Sequence, residues 1–289
     1  MKLIAIDLDG TLLSDKHIIS EENKQAIFTA QKEGNIVVIS SGRSLHDTRE
    51  ILRKAEINCP YITGNGAVSF ESGKIIQNHK LSTELLEEII PVLERNEIYY
   101  ELYASDGIYF IPNGKQRLKD EVEICKKEVA DFSVSDADEM FNIIFAQHGW
   151  KYLEEDQVLD YEEAGIYKIF SFSFIDQKFQ QIRDIFEHRE DMATTTSGKN
   201  KFEFANKAAT KGTALVNMAK HFNIPIENTI AIGDNFNDVP MFQVAGIGVA
   251  MGNAEEEVKK QSNYVTLTNN EHGVAHAITK FVLNKSVKS

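Results

Sequence analysis

The chain has 289 residues, 42% of them hydrophobic and 26% charged, with a formal net charge of −13. That length accommodates more than one compact core, and the composition is that of a globular protein, not of a disordered or fibrous one. Acidity of this size argues against a nucleic-acid or anionic-membrane surface, because both need clustered Lys and Arg; a small anionic ligand in one locally positive pocket stays compatible with it.

The first apolar run, Leu3 to Ile6, ends at Asp7 and is too short for the apolar part of a signal peptide. No segment approaches the ~20 apolar residues of a membrane span. The two cysteines, Cys59 and Cys125, read as reduced thiols. The expected location is therefore cytoplasmic, and no protein partner is inferable.

Short apolar runs recur at Ile4–Ile6, Ile36–Ile39, Tyr61–Thr63, Thr229–Ile232 and Ile247–Ala250. Continuous runs of this length fit strands of a parallel sheet covered on both faces. Helical patterns lie between them. Ser20 caps a helix over 21–33, with Glu21 and Glu22 in its first turn and Gly34 as its stop. Ser44 with Asp47 forms a capping-box pattern for a helix to about Ala55. A further helix starts at Lys211 or Gly212, and a last amphipathic one runs from His272 to Val282. Alternating strands and helices imply a doubly wound α/β core, with ligands at the carboxyl ends of the strands.

The middle has another pattern. A helix over 84–95 precedes candidate strands Tyr99–Tyr103 and Ile108–Ile111, joined by the turn Ser105-Asp106-Gly107. Ile169 to Phe174 alternates apolar and polar residues, which predicts a sheet with one wet face. A helix over 176–187 and strands Met192–Thr196 and Lys201–Phe204 follow. The expected organisation is an α/β core from residues 1–83 and 207–289, interrupted by an inserted α+β domain over 84–206.

Chemistry concentrates where strands end. In IDLDGT, Asp7 and Asp9 stand two apart after a buried run, so an extended chain would point both the same way. Two close carboxylates repel unless something positive joins them. IAIGDNFND, residues 230–238, ends a second strand in Asp234, Asn237 and Asp238. Two strand ends carrying carboxylates suit a hard divalent cation, and Mg²⁺ fits because it takes oxygen ligands and bridges carboxylate to phosphate. No GxxxxGK[ST] loop occurs, so nucleotide binding by that route is unsupported. VVISSGR ends a third strand in hydroxyls and a glycine, and Ser41 and the Gly42 N–H can donate to phosphate oxygens. ATKGTAL puts Lys211 at a helix N-terminus, a position that favours a nearby anion.

DLDGTLL, SSGR, a lysine before Gly-Thr, and GDNFND occur in the order found in haloacid-dehalogenase-like phosphatases. The large insert between the second and third motifs resembles the Cof-type subfamily. The resemblance extends along essentially the whole chain, PYITGNGAV near residue 60 included. Two departures are visible. Ser41 stands where the family usually has Thr, and the segment around Lys211 is less standard, with Lys207 as the nearest rival.

The resemblance implies a Rossmann-like core with an inserted cap domain, and a Mg²⁺-dependent phosphatase of small phosphorylated metabolites, sugar phosphates foremost. It makes Asp7 the nucleophile that forms an aspartyl phosphate. It makes Asp9 the general acid and base, with a pKa raised by burial and neighbouring charge. Mg²⁺ would be held by the Asp7 carboxylate, the Asp9 carbonyl and the Asp234 carboxylate, with Asp238 acting through water or from behind. Ser41, the N–H groups of Leu8 and Gly42, Lys211 and Asn237 would bind the phosphoryl oxygens. On the cap, Tyr103, Arg117 and Lys168 are unranked candidates for substrate selection. Two other readings stay open: a phosphohexomutase of the phosphomannomutase type, and a non-enzymatic phospho-accepting module.

Overall fold

The computed structural model describes residues 1–153, 159–195 and 200–283. The chain divides into two compact units. One comprises residues 1–43, 48–78 and 209–289, the other residues 44–47 and 79–208.

The first unit is built on an eight-stranded sheet. Its spatial order is Tyr264–Val265, Ile247–Ala250, Thr229–Gly233, Leu3–Asp7, Ile36–Ser40, Tyr61–Thr63, Val68–Glu71 and Lys74–Asn78. The first six run parallel, and the last two add an antiparallel hairpin that the sequence reading did not resolve. Leu3–Asp7 lies at the centre. The chain builds outward from it on one side, then returns to build the other. Ligands in such sheets bind where the strand order reverses in this way. Leu3, Ala5, Val38, Ile62 and Ala231 pack with Leu215, Met218 and Phe242 into this unit's core.

The helix signals map onto local structure as read. Glu21–Lys32 is capped by Ser20, whose Oγ accepts from the Asn23 N–H at 3.2 Å. Leu45–Lys54 begins after Ser44, whose Oγ accepts from the Asp47 N–H at 3.1 Å. Lys211–His221 is capped by the Thr210 hydroxyl, accepting from the Thr213 N–H.

The second unit carries a six-stranded sheet in the order Met192–Thr195, Lys201–Asn206, Ile166–Phe172, Tyr99–Ala104, Gly107–Phe110 and Trp150–Tyr152. Thr196, expected at the end of the first of these, lies outside the described residues. All seven residues of Ile166–Phe172 are buried, which corrects the expected wet face. One side packs with Leu86, Ile89, Leu93, Phe179 and Ile182. On the other, the helix Gly114–Glu128, absent from the sequence reading, supplies Glu121. Its carboxylate takes the Ser173 hydroxyl and the Phe174 N–H at 2.8–3.0 Å. The Ser171 hydroxyl is satisfied by the Phe202 carbonyl. Alternation thus marks hydroxyls that find partners inside the protein, where an unpaired one would carry a desolvation cost.

Candidate active site

Leu3–Asp7 and Thr229–Gly233 are neighbours in register, with Ile6 opposite Ile232. Asp7 and Asp234 therefore emerge side by side at the carboxyl ends of two neighbouring strands. Asp7 is buried, and its Oδ1 accepts from Lys211 Nζ at 2.6 Å. The same ammonium donates to Asp238 Oδ1 at 2.5 Å. Asp238 Oδ2 accepts from the N–H groups of Asp234 and Asn235 at 2.9 and 3.0 Å, which fixes the loop that follows the strand. Thr11, in the turn Leu8–Leu12, donates its hydroxyl to Asp234 Oδ1 at 2.9 Å. Lys211 and Asp238 have no exposed side-chain surface, whereas Lys207 is exposed.

Asp7, Asp234 and Asp238 each offer a carboxylate oxygen within 4.8 Å of the other two. Three carboxylates against one ammonium leave two negative charges uncompensated. The electrostatics record this. Burial pushes the Asp7 carboxyl well above the ordinary range, and the charges of Asp238 and Asp234 add to it against the pull of Lys211. Asp234 is pushed up to about 6, by burial first and then by Asp238. Burial opposes the charge on Lys211, but Asp238 and Asp7 prevail and raise its pKa. A divalent cation with hard oxygen preference matches both the donors and the missing charge. Asn237 Oδ1, on the same loop, is a buried acceptor with no partner among the described residues. It suits a donor such as a water.

Asp9 departs from expectation. The two-residue strand period predicts that it shares Asp7's side, and the family resemblance implies that it is buried. The strand ends at Asp7, the chain turns through Gly10 (φ +73°), and the two-residue period no longer applies to Asp9. Its side chain is 48% exposed and lies in the fork of Arg43, with Nε to Oδ2 at 2.8 Å and Nη2 to Oδ1 at 2.7 Å. Sequence reasoning gives Arg43, the last residue of SSGR, no role. Its position directly after two proposed phosphoryl binders was the signal available.

The other expected residues are placed as follows. Leu8 buries its side chain beside Asp7. Ser41 is buried at the end of Ile36–Ser40, its Oγ accepting from the Arg43 N–H at 3.1 Å. Gly42 packs against the Asn65 side chain. Asn237 Nδ2 donates to Asn65 Oδ1 at 3.0 Å. In the second unit, Arg117 is held by Glu94 and the Ile98 carbonyl, and Lys168 pairs with Glu203 over the Tyr103 ring.

The chain as a whole is similar to known proteins. A family model described as haloacid dehalogenase-like hydrolase matches residues 4–278. Phosphatase YwpJ of Bacillus subtilis is 39% identical over 279 residues, covering 96% of this chain and 98% of the relative. The 5-amino-6-(5-phospho-D-ribitylamino)uracil phosphatase YwtE of the same organism is 36% identical over 284 residues, covering 98% of both. A solved haloacid dehalogenase-like hydrolase from B. subtilis superposes with a TM-score of 0.80 at 38% identity, over 96% of this chain and 99% of that one.

Proposed function

The chain belongs to the haloacid dehalogenase-like hydrolase family, and from that premise we propose that it is a Mg²⁺-dependent phosphatase of small phosphate monoesters, acting through an aspartyl phosphate on Asp7. The observation that carries the reading is Lys211, buried between Asp7 and Asp238 where the first and fourth motifs meet.

Asp7 and Asp234 would hold the cation with the Asp9 carbonyl, and Asp238 would act from behind by fixing Lys211 and the loop. When bound, Mg²⁺ supplies positive charge to the cluster and to the phosphoryl oxygens. The Asp7 carboxylate attacks phosphorus, the bond to the ester oxygen breaks, and Asp9 donates a proton to the leaving alkoxide. Water then attacks the aspartyl phosphate, gives its proton to Asp9, and inorganic phosphate departs. Lys211, Ser41, the Leu8 and Gly42 N–H groups and Asn237 hold the phosphoryl oxygens as charge develops on them. Both Asp9 oxygens accept from Arg43, whose positive charge favours the carboxylate over the acid.

By its place in the chain, between the second and third motifs, residues 79–208 form the cap, to which we assign substrate choice. A relative at 36% identity is named for a ribityl phosphate. That supports phosphorylated sugars and polyols as the substrate class. Incubation of a panel of such esters with Mg²⁺ is expected to release inorganic phosphate. Interconversion of hexose phosphates without release would replace this reading with the phosphohexomutase.

Metal binding should depend on pH in a defined direction. Asp234 is raised from 3.8 to about 6, so the metal-free fold keeps this group's contribution below the ordinary value and loses it as pH rises through about 6. The cation competes with that proton. Mg²⁺ is therefore expected to bind more tightly, and to raise the thermal midpoint further, at about pH 8 than at about pH 5. Titration calorimetry and thermal scans read this out, and equal affinity at both values would remove Asp234 from the metal site.

A further inference from the structure

We propose that Asn65 is a positioning residue for the phosphoryl site, holding the Asn237 amide and the Ser41–Gly42 peptide in their binding orientation. The proposal rests on the phosphatase reading above and assigns work within the same site.

Asn65 lies in a short turn, Gly64–Gly66, directly after the strand Tyr61–Thr63. Three successive residues there have positive φ: Gly64 at 59°, Asn65 at 57° and Gly66 at 106°. Asn is among the few side chains that accept this backbone, because its short amide bonds locally. The turn buries Asn65, which is 9% exposed. Such a conformation persists only where the surroundings determine it.

The turn reaches three of the four segments that bear phosphoryl-binding groups, those of the second, third and fourth motifs. The Asn65 N–H donates to the Ser41 carbonyl at 3.1 Å, and the Gly64 N–H donates to the Arg43 carbonyl at 3.0 Å. In a trans peptide the C=O and the following N–H point in opposite directions. Holding the Ser41 carbonyl therefore aims the Gly42 N–H away from the turn. The Asn65 side chain lies so close that a Cβ at Gly42 would sit 2.8 Å from its Oδ1. The same Oδ1 takes one hydrogen of Asn237 Nδ2. The amide is planar, so this fixes the direction of its second hydrogen and of the unpartnered Oδ1. At Gly66 a Cβ would come 2.2 Å from the Thr210 carbonyl, so glycine lets the turn press against the start of the Lys211 helix. One turn thus braces the second, third and fourth motifs, and the Asn65 carboxamide spans the second and fourth.

The test is a double-mutant cycle read by kinetics and by NMR. Asn65→Gly keeps the left-handed backbone and removes the carboxamide. On p-nitrophenyl phosphate with Mg²⁺ it is expected to lower kcat/KM roughly 10- to 100-fold, the range for groups that orient a ligand without touching substrate. In an Asn237→Ala background the same change should cost less than about threefold, because the group it orients is gone. The Asn237 side-chain amide signal should shift in Asn65→Gly, with or without metal. Losses that multiply across the cycle, or an unmoved amide signal, overturn the proposal. If the glycine variant does not fold, Asn65→Asp keeps both the turn and the acceptor. Its Asn237 amide signal should stay near the wild-type position, and displacement there counts against the proposal. A wild-type protein that releases no phosphate would overturn the phosphatase reading instead, and the amide signal then decides Asn65 alone.

Discussion

Asp7→Asn is expected to abolish phosphate release, by at least about 10⁴-fold in kcat, because the amide cannot attack phosphorus. The change is nearly isosteric and keeps an oxygen toward Lys211. It also removes a carboxylate whose ionisation is opposed by burial, Asp238 and Asp234 more than Lys211 favours it. The metal-free variant should therefore unfold at or above the wild-type midpoint near neutral pH, so the lost activity cannot be ascribed to lost structure. This is the usual conflict between a poised site and stability. Full activity, with deamidation excluded by mass measurement, would refute Asp7 as nucleophile.

Lys211→Met should damage both stability and turnover. It leaves the carboxylates of Asp7, Asp234 and Asp238 together with no cation among them. Removing one partner from a buried ion pair typically costs about 3–5 kcal/mol, because the remaining charge is left uncompensated. Mg²⁺ should restore much of the thermal midpoint by supplying positive charge, without restoring the donor to the phosphoryl oxygens. Turnover with saturating metal should thus stay well below wild type. Lys207→Met is the control. That side chain is exposed, and its loss should leave both measurements near wild type. If Lys207→Met is inactive and Lys211→Met is not, the third motif has been placed on the wrong lysine.

The sheet of the first unit was legible because its strands are short apolar runs between capped helices, and those signals are local. Ser20, Ser44 and Gly34 mark boundaries through bonds to residues a few positions away. The acids at 7 and 234 were legible for the same reason, since each directly follows a buried run, and Asp238 stands four residues on in the same loop. Glu121 was not, because the helix that carries it shows its purpose only against Ser173, some fifty residues on. Alternation over Ile169–Phe174 correctly placed a strand and wrongly placed water beside it. A two-residue period tells which residues share a face, but not what covers that face.

The sequence by itself determined the α/β core, the hydrolase family and the strand ends at which the acids stand. The core and the strand ends follow from short-range spacing, which backbone geometry converts directly into direction, and the family follows from the resemblance of four motifs in order. Only the tertiary structure decided that Asp9 turns to Arg43, that Asp238 anchors Lys211 and its own loop, and that Asn65 joins the second and fourth motifs. The contacts of Asp9 with Arg43, Asp238 with Lys211 and Asn65 with Asn237 join groups 27 to 172 residues apart in the chain. For Asp238 and Asn65 the partner is the one that satisfies a buried charge or amide once the sheet has closed around it, whereas Asp9 is turned to Arg43 by the bend at Gly10.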